Sequence, residues 1–266
     1  MKALKSLITN QELVYQFTKR EVEAKYRGSR AGFVWTVINP LIMLSIYTFV
    51  FSQVFNARWG NSNTEGGAIE FGLNLFAGLI VFNIFAESIA KAPTLITSNP
   101  NYVKKIIFPL EVLGYAVCGS ALINALSGLL ILTGFKLIHE GGINASILLI
   151  PVIWIPLTLA CIGLTWIVAS ISVFIKDIGN IVSPLISILM FMSPIFYPAS
   201  MIPEGIRSIL GISPIAMFIS FTRDLILEGN MMSGHSIILM WLIALLWFEF
   251  CYRIMKRLQP HFSDYL

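Results

Sequence analysis

Six stretches of this chain are almost free of charged residues, and each is about as long as a helix that crosses a membrane. A hydrocarbon core of about 30 Å needs about 20 helical residues. The connecting segments are too short to hold a soluble domain, so we expect a single all-α integral membrane domain over residues 1–266. The predicted transmembrane helices are residues 36–55, 71–90, 112–135, 147–173, 178–200 and 236–256.

The lysines and arginines between the spans indicate how the chain is oriented. When the six spans are threaded in turn, most of its 18 lysines and arginines fall on the side of the N-terminus. Cytoplasmic loops carry such an excess. We therefore expect a multi-pass protein of the bacterial inner membrane with both termini in the cytoplasm. The exceptions to the excess are Arg58, Lys136, Arg207 and Arg223.

The composition excludes other classes of protein. The residues are 56% hydrophobic and 12% charged, and the mean hydropathy is +0.79, which is far too apolar for a soluble domain of this length. The net charge of +4 therefore reflects membrane topology, and nucleic-acid binding is not expected. The first apolar run begins only at Thr36, after a charged segment, so no cleavable signal peptide is expected.

Residues 1–35 precede the first span and predict a basic amphipathic helix on the inner membrane surface. Thr9 and Glu12 have capping-box spacing, and Glu21 and Lys25 are spaced for an i,i+4 ion pair. Such a helix is either an anchor for the topology or a surface for a partner. Its apolar face carries Leu13, Val14, Phe17 and Ala24, and its opposite face carries Lys19, Arg20 and Lys25.

Residues 91–111 form the second cytoplasmic segment, which is too long for a tight connection. Three prolines divide this segment into short pieces. A cap at Thr94 or Asn99, with a brief helix between prolines, would make residues 91–111 a rigid protruding segment, here called the knuckle. Such a segment suits insertion into a cleft of another protein. The alternative is an ordinary structured loop.

Residues 203–229 contain apolar pieces, bounded by Pro and Gly, that are too short to cross the bilayer. Backbone of this kind at the membrane is tolerated where it is buried in protein or lines a cavity. These pieces therefore predict short helices that dip into the outer membrane interface, where they would cap or gate a pathway.

Glu87 and Glu249 are the only charged residues well inside the predicted spans. Because a charge inside the membrane is costly, we expect both carboxylates to bind a neighbouring helix or the N-terminal helix rather than relay protons. Three cysteines also lie inside the spans, and we interpret them as small core residues. They are Cys118, Cys161 and Cys251.

Five short motifs occur in order along nearly the whole chain. They are the stretch from Lys25 to Trp35 followed by Asn39-Pro40, the loop from Asn99-Pro100 to Phe108-Pro109, Lys176-Asp177, Ser193 to Pro198, and Arg223-Asp224. Together with the six spans, this ordered set resembles the membrane subunit of bacterial ATP-binding-cassette (ABC) exporters for surface polysaccharides, within the ABC type-2 transporters. The resemblance is strongest to O-antigen permeases, with capsule and teichoic-acid permeases as relatives.

The resemblance implies a homodimer that assembles with two copies of a separate ABC ATPase. No glycine of this chain is followed by lysine, so it lacks a phosphate-binding loop and is not expected to be an enzyme. ATP and magnesium would act on the partner subunit, and this chain would need no cofactor or metal. Residues 1–35 would form the interface helix, and residues 203–229 the periplasmic gate helices. Coupling to the ATPase would involve Thr94, Ser98, Asn99, Pro100, Tyr102, Lys104 and Lys105.

The resemblance also implies a cargo, an undecaprenyl-diphosphate-linked O-antigen or similar polysaccharide that moves from the cytoplasm to the periplasm, and the membrane lipids are a further partner. Arg27 and Arg30, at the inner mouth, would meet the diphosphate, although the positive-inside rule explains both almost as well. Stacking on aromatic rings suits a sliding sugar polymer. The aromatic residues expected to line the channel are Tyr47, Phe51, Phe196 and Tyr197.

Three alternatives stay open at this point. One is an ABC exporter of teichoic acid or capsule polymer. An ion-coupled secondary transporter would need carboxylates near the bilayer midplane, whereas Glu87 and Glu249 lie toward the cytoplasmic ends of their spans. An integral-membrane enzyme would need clustered acidic or histidine residues, and the three histidines have no metal-ligand spacing.

Overall fold

The computed structural model describes residues 1–29, 31–50, 67–104, 108–142, 144–198, 205 and 213–266. Within these ranges the chain is all-α and has no strand. Its α-helices, in chain order, are α1 (Lys2–Thr9), α2 (Gln11–Lys25), α3 (Trp35–Phe49), α4 (Gly67–Leu95), α5 (Pro100–Lys104), α6 (Glu111–Glu140), α7 (Ile150–Phe174), α8 (Ile178–Met192), α9 (Pro214–Arg223) and α10 (Gly234–Leu258). A π-helical turn, Asp224–Glu228, follows α9, and 3₁₀ segments cover Gly32–Val34, Ala145–Leu149 and Gln259–Asp264.

Four of the six predicted spans form helical stretches that are long and apolar enough to cross a membrane. These stretches are Ile69–Leu95, Glu111–His139, Ala145–Phe174 and Gly234–Asp264. The first and fifth predicted spans form shorter apolar helices, α3 and α8, of 15 residues each. Val50 continues the helical backbone after α3, and residues 51–55 of the first span, with Phe51, lie outside the described residues.

Helix α8 ends at Met192, before the predicted end of the fifth span at residue 200. Pro194 explains the early end, because a proline disfavours helical backbone in the residue that precedes it. Ser193 accordingly has extended backbone, with φ −82° and ψ 147°, and its hydroxyl donates to the Leu189 carbonyl at 2.7 Å. The chain therefore leaves the helix at 193–198 instead of continuing across the membrane.

Helix α4 lies at the centre of the bundle, where it contacts α3, α6, α7, α8 and α9. Its most apolar part is 78% buried inside the protein, compared with 28% for the stretch that contains α10. Helix α10 packs on α7 and leaves its other face exposed, as expected for a helix that borders lipid. This exposed face carries Ile238, Leu242, Leu246 and Phe250. The three cysteines are all buried, which confirms their interpretation as core residues.

The N-terminal segment forms two helices where the sequence predicts one. The chain bends at Asn10, with φ −106° and ψ 21°, between α1 and α2. The predicted capping box at Thr9 and Glu12 is wrong, because Thr9 ends α1 and the Glu12 carboxylate accepts a hydrogen bond from the Gln16 amide at 2.9 Å. Helix α1 contacts α10 and α2 packs along α6, so the whole segment is held against the bundle.

Different structural elements lie at the two ends of the bundle. The end that carries both termini, here called the terminal end, holds α1, α5 and the 3₁₀ segment Gln259–Asp264 around the start of α6. The Tyr115 hydroxyl, for example, donates to the Ala3 carbonyl at 2.9 Å. The opposite end holds Ala145–Leu149 and the π-helical turn, where the Ser146 hydroxyl donates to the Leu225 carbonyl at 2.6 Å.

Candidate functional site

The predicted coupling segment forms a short helix, α5, that begins at Pro100 as expected. The polar residues before it bind back to the last turn of α4. The Ser98 hydroxyl donates to the Thr94 carbonyl at 2.6 Å, and the Asn99 amide donates to the Leu95 carbonyl at 3.0 Å. Thr94 therefore lies inside α4 and the Asn99 amide nitrogen caps the end of α4, which corrects the predicted caps at the start of a new helix.

An aromatic cluster of Phe17, Tyr102 and Phe108 attaches α5 to α2. The rings of Tyr102 and Phe108 stack with centroids 4.5 Å apart, and Phe17 contacts both rings at 5.6 and 5.5 Å. The Arg20 guanidinium lies 4.3 Å from the Phe17 ring centroid and donates to the Tyr102 hydroxyl at 3.0 Å. The knuckle is therefore fixed to the N-terminal segment rather than projecting alone.

The outward surface of the knuckle is exposed at the terminal end. The side chains of Thr94, Ser98 and Lys104 face outward, while those of Asn99, Pro100 and Tyr102 are partly buried; Lys105 lies outside the described residues. A cleft of about 410 Å³ separates α5 from the C-terminal 3₁₀ segment. Its walls are formed by Tyr102, Val103, Phe108 and Leu110 on one side and by Lys256, Gln259, Pro260 and Ser263 on the other.

Two ion pairs join α2 to α4. The Lys25 ammonium donates to the Glu87 carboxylate at 2.6 Å, and the Lys91 ammonium donates to the Glu21 carboxylate. The predicted pair between Glu21 and Lys25 is therefore wrong, because each residue binds α4 instead of its neighbour on α2. Asn124 of α6 also donates to Glu87, at 2.9 Å. This confirms the expectation that Glu87 binds neighbouring helices and the N-terminal helix.

Glu249 binds the N-terminal helix too. Its carboxylate accepts from the Ala3 backbone N–H at 3.1 Å and from Arg253 at 3.1 Å. A carboxylate at this place stabilises the unpaired N–H groups that begin every helix, here those of α1. The expected role of Glu249 as a contact to a helix is therefore confirmed.

Glu111 is a functional candidate that the sequence analysis missed. It is 3% exposed, and its carboxylate accepts from the Ser6 hydroxyl at 2.7 Å and from the Lys256 ammonium at 2.7 Å. It thus joins α1, α6 and α10 at one point. In the sequence, Glu111 lies two residues after Pro109 and suggested only the end of a loop. The signal that could have identified it as a buried contact is its position just before a long apolar run.

At the opposite end, two buried cations bind backbone carbonyls. Arg223 is 7% exposed and donates to the carbonyls of Asn74 at 2.8 Å and Ile195 at 2.9 Å, and also to that of Pro194. Gly78 makes this approach possible, since a Cβ there would lie 2.6 Å from the guanidinium. Arg223 thereby ties the turn after α8 to the central helix α4.

Lys136 is the second buried cation. It is 1% exposed and donates to the carbonyls of Ile226 at 2.7 Å and Leu227 at 2.6 Å, at the end of the π-helical turn. A cation is favourable where helix carbonyls lack partners. Arg223 and Lys136 are two of the predicted exceptions to the positive-inside pattern, and both are held by carbonyls inside the protein. The other two, Arg58 and Arg207, lie outside the described residues.

Three of the four predicted channel aromatics lie near one another at the same end. The Tyr47 ring of α3 meets the Phe196 ring edge to face, with centroids 6.5 Å apart. Phe196 also stacks on Phe191 at 5.6 Å, and the Tyr197 hydroxyl donates to the Phe191 carbonyl at 2.9 Å. The structure thus joins the first and fifth predicted spans through aromatic rings.

Other predicted site residues are located only in part. Arg27 is exposed beyond α2, whereas Arg30 lies outside the described residues. Of the predicted gate helices, the second is seen as α9 with its π-helical turn, and the first, from residue 203 to residue 211, lies outside them apart from residue 205. Within the described ranges no group of His, Cys, Asp or Glu is arranged to hold a metal.

The apolar bundle, with four helices of membrane-crossing length, defines a helical membrane protein. The particular family follows from comparison with known proteins, because the model of the ABC-2 type transporter family matches residues 12–227. The chain belongs to this family.

Relatives in several bacteria resemble the chain over most of its length. An O-antigen export system permease protein RfbA of Myxococcus xanthus is 26% identical over 251 residues, covering 91% of this chain and 93% of that protein. An RfbA permease of Klebsiella pneumoniae is 26% identical, covering 83% and 82%. The polysialic acid transport protein KpsM of Escherichia coli is 21% identical, covering 82% of each chain.

Proposed function

We propose that this chain is the membrane-spanning subunit of an ATP-driven exporter that moves undecaprenyl-diphosphate-linked O-antigen or a similar polysaccharide from the cytoplasm to the periplasm. Membership of the ABC-2 type transporter family and the similarity to O-antigen export permeases support this function. The chain itself is not an enzyme in this proposal. ATP and magnesium act on a separate ABC ATPase subunit.

The observation that carries the proposal is the attachment of α5 to α2. A coupling element has to move as one piece with the helices that it drives. Helix α5 is only five residues long, and it gains rigidity from the Phe17, Tyr102 and Phe108 rings and from Arg20. The exposed residues Ser98, just before α5, and Lys104, at its end, are then the contact surface for the ATPase. A movement there reaches α2, and through the ion pairs it reaches α4.

The exposed apolar faces of α3 and α8 support a homodimer. Helix α8, of 15 residues, ends at Met192 and is shorter than the roughly 20 residues that a lipid-bounded span needs. Helices α3 and α8 both carry exposed apolar side chains, and the Tyr47–Phe196 contact joins α3 to the turn after α8. A second copy and a polymer path cover such helices better than lipid does. The exposed residues are Val37, Ile42, Met43, Ile46 and Phe49 on α3 and Ile181, Leu185, Ile188 and Phe191 on α8.

In this arrangement the terminal end lies in the cytoplasm and the polymer leaves at the opposite end. Arg27, exposed at the end of α2, meets the diphosphate of the lipid carrier together with Arg30. The rings of Tyr47, Phe196 and Tyr197, with Phe51, give the sliding polymer weak contacts. Helix α9 and the π-helical turn, held by Arg223 and Lys136, form part of the periplasmic gate.

The alternative cargo within the family is a capsule polymer or teichoic acid, and the likeness to a polysialic acid transport protein supports the former. An ion-coupled secondary transporter is disfavoured. The carboxylates that it would use, Glu87 and Glu249, are held by Lys25 and by α1 with Arg253.

The test is a disulfide or bifunctional cross-link between the knuckle and the ATPase that is co-expressed with this chain. A Ser98→Cys variant should cross-link to the ATPase, and an Asn230→Cys variant, exposed at the opposite end, should not. The native cysteines are buried and give little background. The purified chain alone should hydrolyse no ATP. ATP turnover by the isolated chain, or equal cross-linking of both variants, would contradict the proposal.

A further inference from the structure

A second cleft, of about 400 Å³, lies between α2, α3, α4 and α6. This volume is within the range of about 300–1,000 Å³ that is typical of small-molecule sites. The cleft opens beside the end of α2, near the exposed Arg27. Its walls carry the charged residues Glu21, Lys25, Glu87 and Lys91 and the neutral residues Tyr26, Ser120 and Asn124.

The four charged side chains of this cleft bind one another. Lys25 donates to Glu87 at 2.6 Å, and Lys91 donates to Glu21. The two positive and two negative charges cancel. An anion that entered the cleft would meet two carboxylates as well as two ammonium groups, so the cleft offers it no net attraction. The charge pattern therefore favours a neutral ligand.

Two neutral polar atoms in the same walls lack a partner among the described residues. They are the hydroxyl oxygen of Ser120, which is 2% exposed, and the amide oxygen of Asn124. Buried polar atoms normally have hydrogen-bond partners, and an unpaired one is costly. The Asn124 oxygen needs a donor, and the Ser120 hydroxyl is able to donate and to accept. A ligand rich in hydroxyl groups meets both needs.

Tyr26 completes the cleft with an aromatic face and a hydroxyl. Burial, and then the negative charge of Glu87, raise the pKa of Tyr26 above its usual value. The phenol therefore stays protonated and able to donate at neutral pH. Apolar ring faces beside convergent polar groups are the usual composition of a small-molecule site.

We propose that this cleft binds a neutral sugar unit of the exported polymer, through the Ser120 hydroxyl, the Asn124 amide oxygen and Tyr26. The inference rests on the proposed function and deepens it. It separates two recognition sites on one chain, because the neutral cleft takes the sugar while the exposed Arg27 takes the diphosphate. The cleft then selects the cargo by its first sugars, and the paired charges of α2 and α4 hold its walls in place.

The test measures sugar binding to the full chain in lipid nanodiscs by saturation-transfer NMR. The probes are the neutral methyl glycosides of glucose, galactose, mannose, rhamnose and N-acetylglucosamine, with inorganic diphosphate as the anionic probe. At least one glycoside should bind, and Ser120→Ala should weaken it about three- to tenfold, which is the effect of losing one neutral hydrogen bond. Diphosphate should not compete.

The matched control is Ser170→Ala. The Ser170 hydroxyl is also buried without a partner among the described residues, but it does not line the cleft. It should leave glycoside binding unchanged. A Tyr26→Phe variant, which removes the phenol hydroxyl and keeps the ring, should also weaken glycoside binding about three- to tenfold. This arm remains informative if Ser120→Ala fails to fold.

Three outcomes would overturn the inference. They are the absence of binding by every glycoside, as expected if the cleft holds only water; equal binding by the Ser120 and Ser170 variants; and competition by diphosphate. The cross-link from Ser98→Cys to the ATPase reports on the proposed function separately. If that cross-link forms while glycosides do not bind, only the sugar site is wrong.

Discussion

The Lys25 ammonium lies 2.6 Å from the Glu87 carboxylate, and this contact joins residues 62 positions apart in the chain. It links the N-terminal segment to the most buried helix of the bundle. A charged residue inside a predicted span is thus explained by a partner on a neighbouring helix. With the pair of Lys91 and Glu21, it makes α2 a part of the bundle rather than a loose helix at the membrane surface.

Reversing the charge of Lys25 should weaken the packing of α2 against the bundle, and exchanging the charges of Lys25 and Glu87 should restore it. A docked α2 is detectable by a disulfide between Thr18→Cys and Gly119→Cys, because a Cβ at Gly119 would lie 3.7 Å from that of Thr18. In isolated membranes with an oxidant, this disulfide should form readily.

In the same assay, Lys25→Glu should slow the disulfide severalfold, and the charge-swapped pair Lys25→Glu with Glu87→Lys should recover most of the rate. The side chains are 27% and 37% exposed, so the pair contributes only about 0.2–1 kcal/mol. Equal rates in all three backgrounds would show that the ion pair does not hold α2.

Removing the Phe17 ring should weaken the connection between α2 and α5. Phe17→Ala loses contacts with Tyr102, Phe108 and Arg20, and each aromatic contact contributes about 0.5–1.5 kcal/mol. We expect the assembled complex to hydrolyse ATP while polymer export falls severalfold. Phe250→Ala, on the exposed face of α10, is the control and should export normally. Normal export by the Phe17 variant would argue against a rigid link.

Arg223 should be more important for stability than an exposed arginine. Arg223→Met removes the donor to the carbonyls of Asn74, Pro194 and Ile195, and the buried carbonyls of Pro194 and Ile195, outside any helix, cost about 1–3 kcal/mol each when they are left unsatisfied. Arg223→Lys should be intermediate, because an ammonium has no planar fork of donors.

Thermal unfolding in detergent measures this effect. The control Arg253→Met, with a side chain that is 70% exposed, should change the unfolding temperature little. If Arg223→Met unfolds at the temperature of the unmodified protein, Arg223 does not hold the turn after α8.

The long helices of the fold follow from the sequence because the bilayer sets their length, and uncharged runs of that length are easy to recognise. The end of α8 at Met192 was not predicted, although Pro194, which stops a helix locally, was a signal for it. The bend at Asn10 was not predicted either. It follows from packing of α1 on α10 and of α2 on α6, which bring together distant parts of the chain.

The candidate site, like the fold, could be predicted from the sequence only in part. The knuckle was predictable because Pro100 marks the start of a helix in the local sequence. The partners of Arg223 and Lys136 were not, since these contacts span 149 and 90 positions and involve backbone carbonyls, which every residue has. Hydropathy placed both cations in outer segments, and only the fold shows that they are buried.

Rigid coupling through α5 also predicts the effect of changing its own residues. Replacing Pro100 with Ala, or reversing the charges of Lys104 and Lys105, should uncouple ATP hydrolysis from export. The chain should still reach the membrane, because none of these residues is in a transmembrane stretch. Export and ATPase activity of the same preparation are the measurements, with His235→Ala, exposed at the opposite end, as the control. Unchanged export in both knuckle variants would place the coupling surface elsewhere.

The last prediction concerns the aromatic rings of the polymer path. A channel for a hydrated glycan has to bind sugar weakly at many points, because a tight site would stall the sliding chain, and aromatic rings offer such contacts better than fixed charges. The contact between Tyr47 and Phe196 brings a ring of α3 together with a ring of the turn after α8. Truncating Tyr47, Phe51, Phe196 and Tyr197 together to Ala should therefore lower polymer export at least tenfold.

Assembly and basal ATP hydrolysis should change far less, since Tyr47, Phe196 and Tyr197 lie at the opposite end of the bundle from the knuckle. A matched control removes exposed apolar side chains from α10, with Leu242→Ala, Leu246→Ala and Phe250→Ala in one variant. Cysteines at Ile42 or Met43, exposed on α3, should cross-link two copies of the chain. Normal polymer length and rate in the aromatic variant, with no cross-link between copies, would assign these rings to lipid contact, because a path between two subunits requires both results.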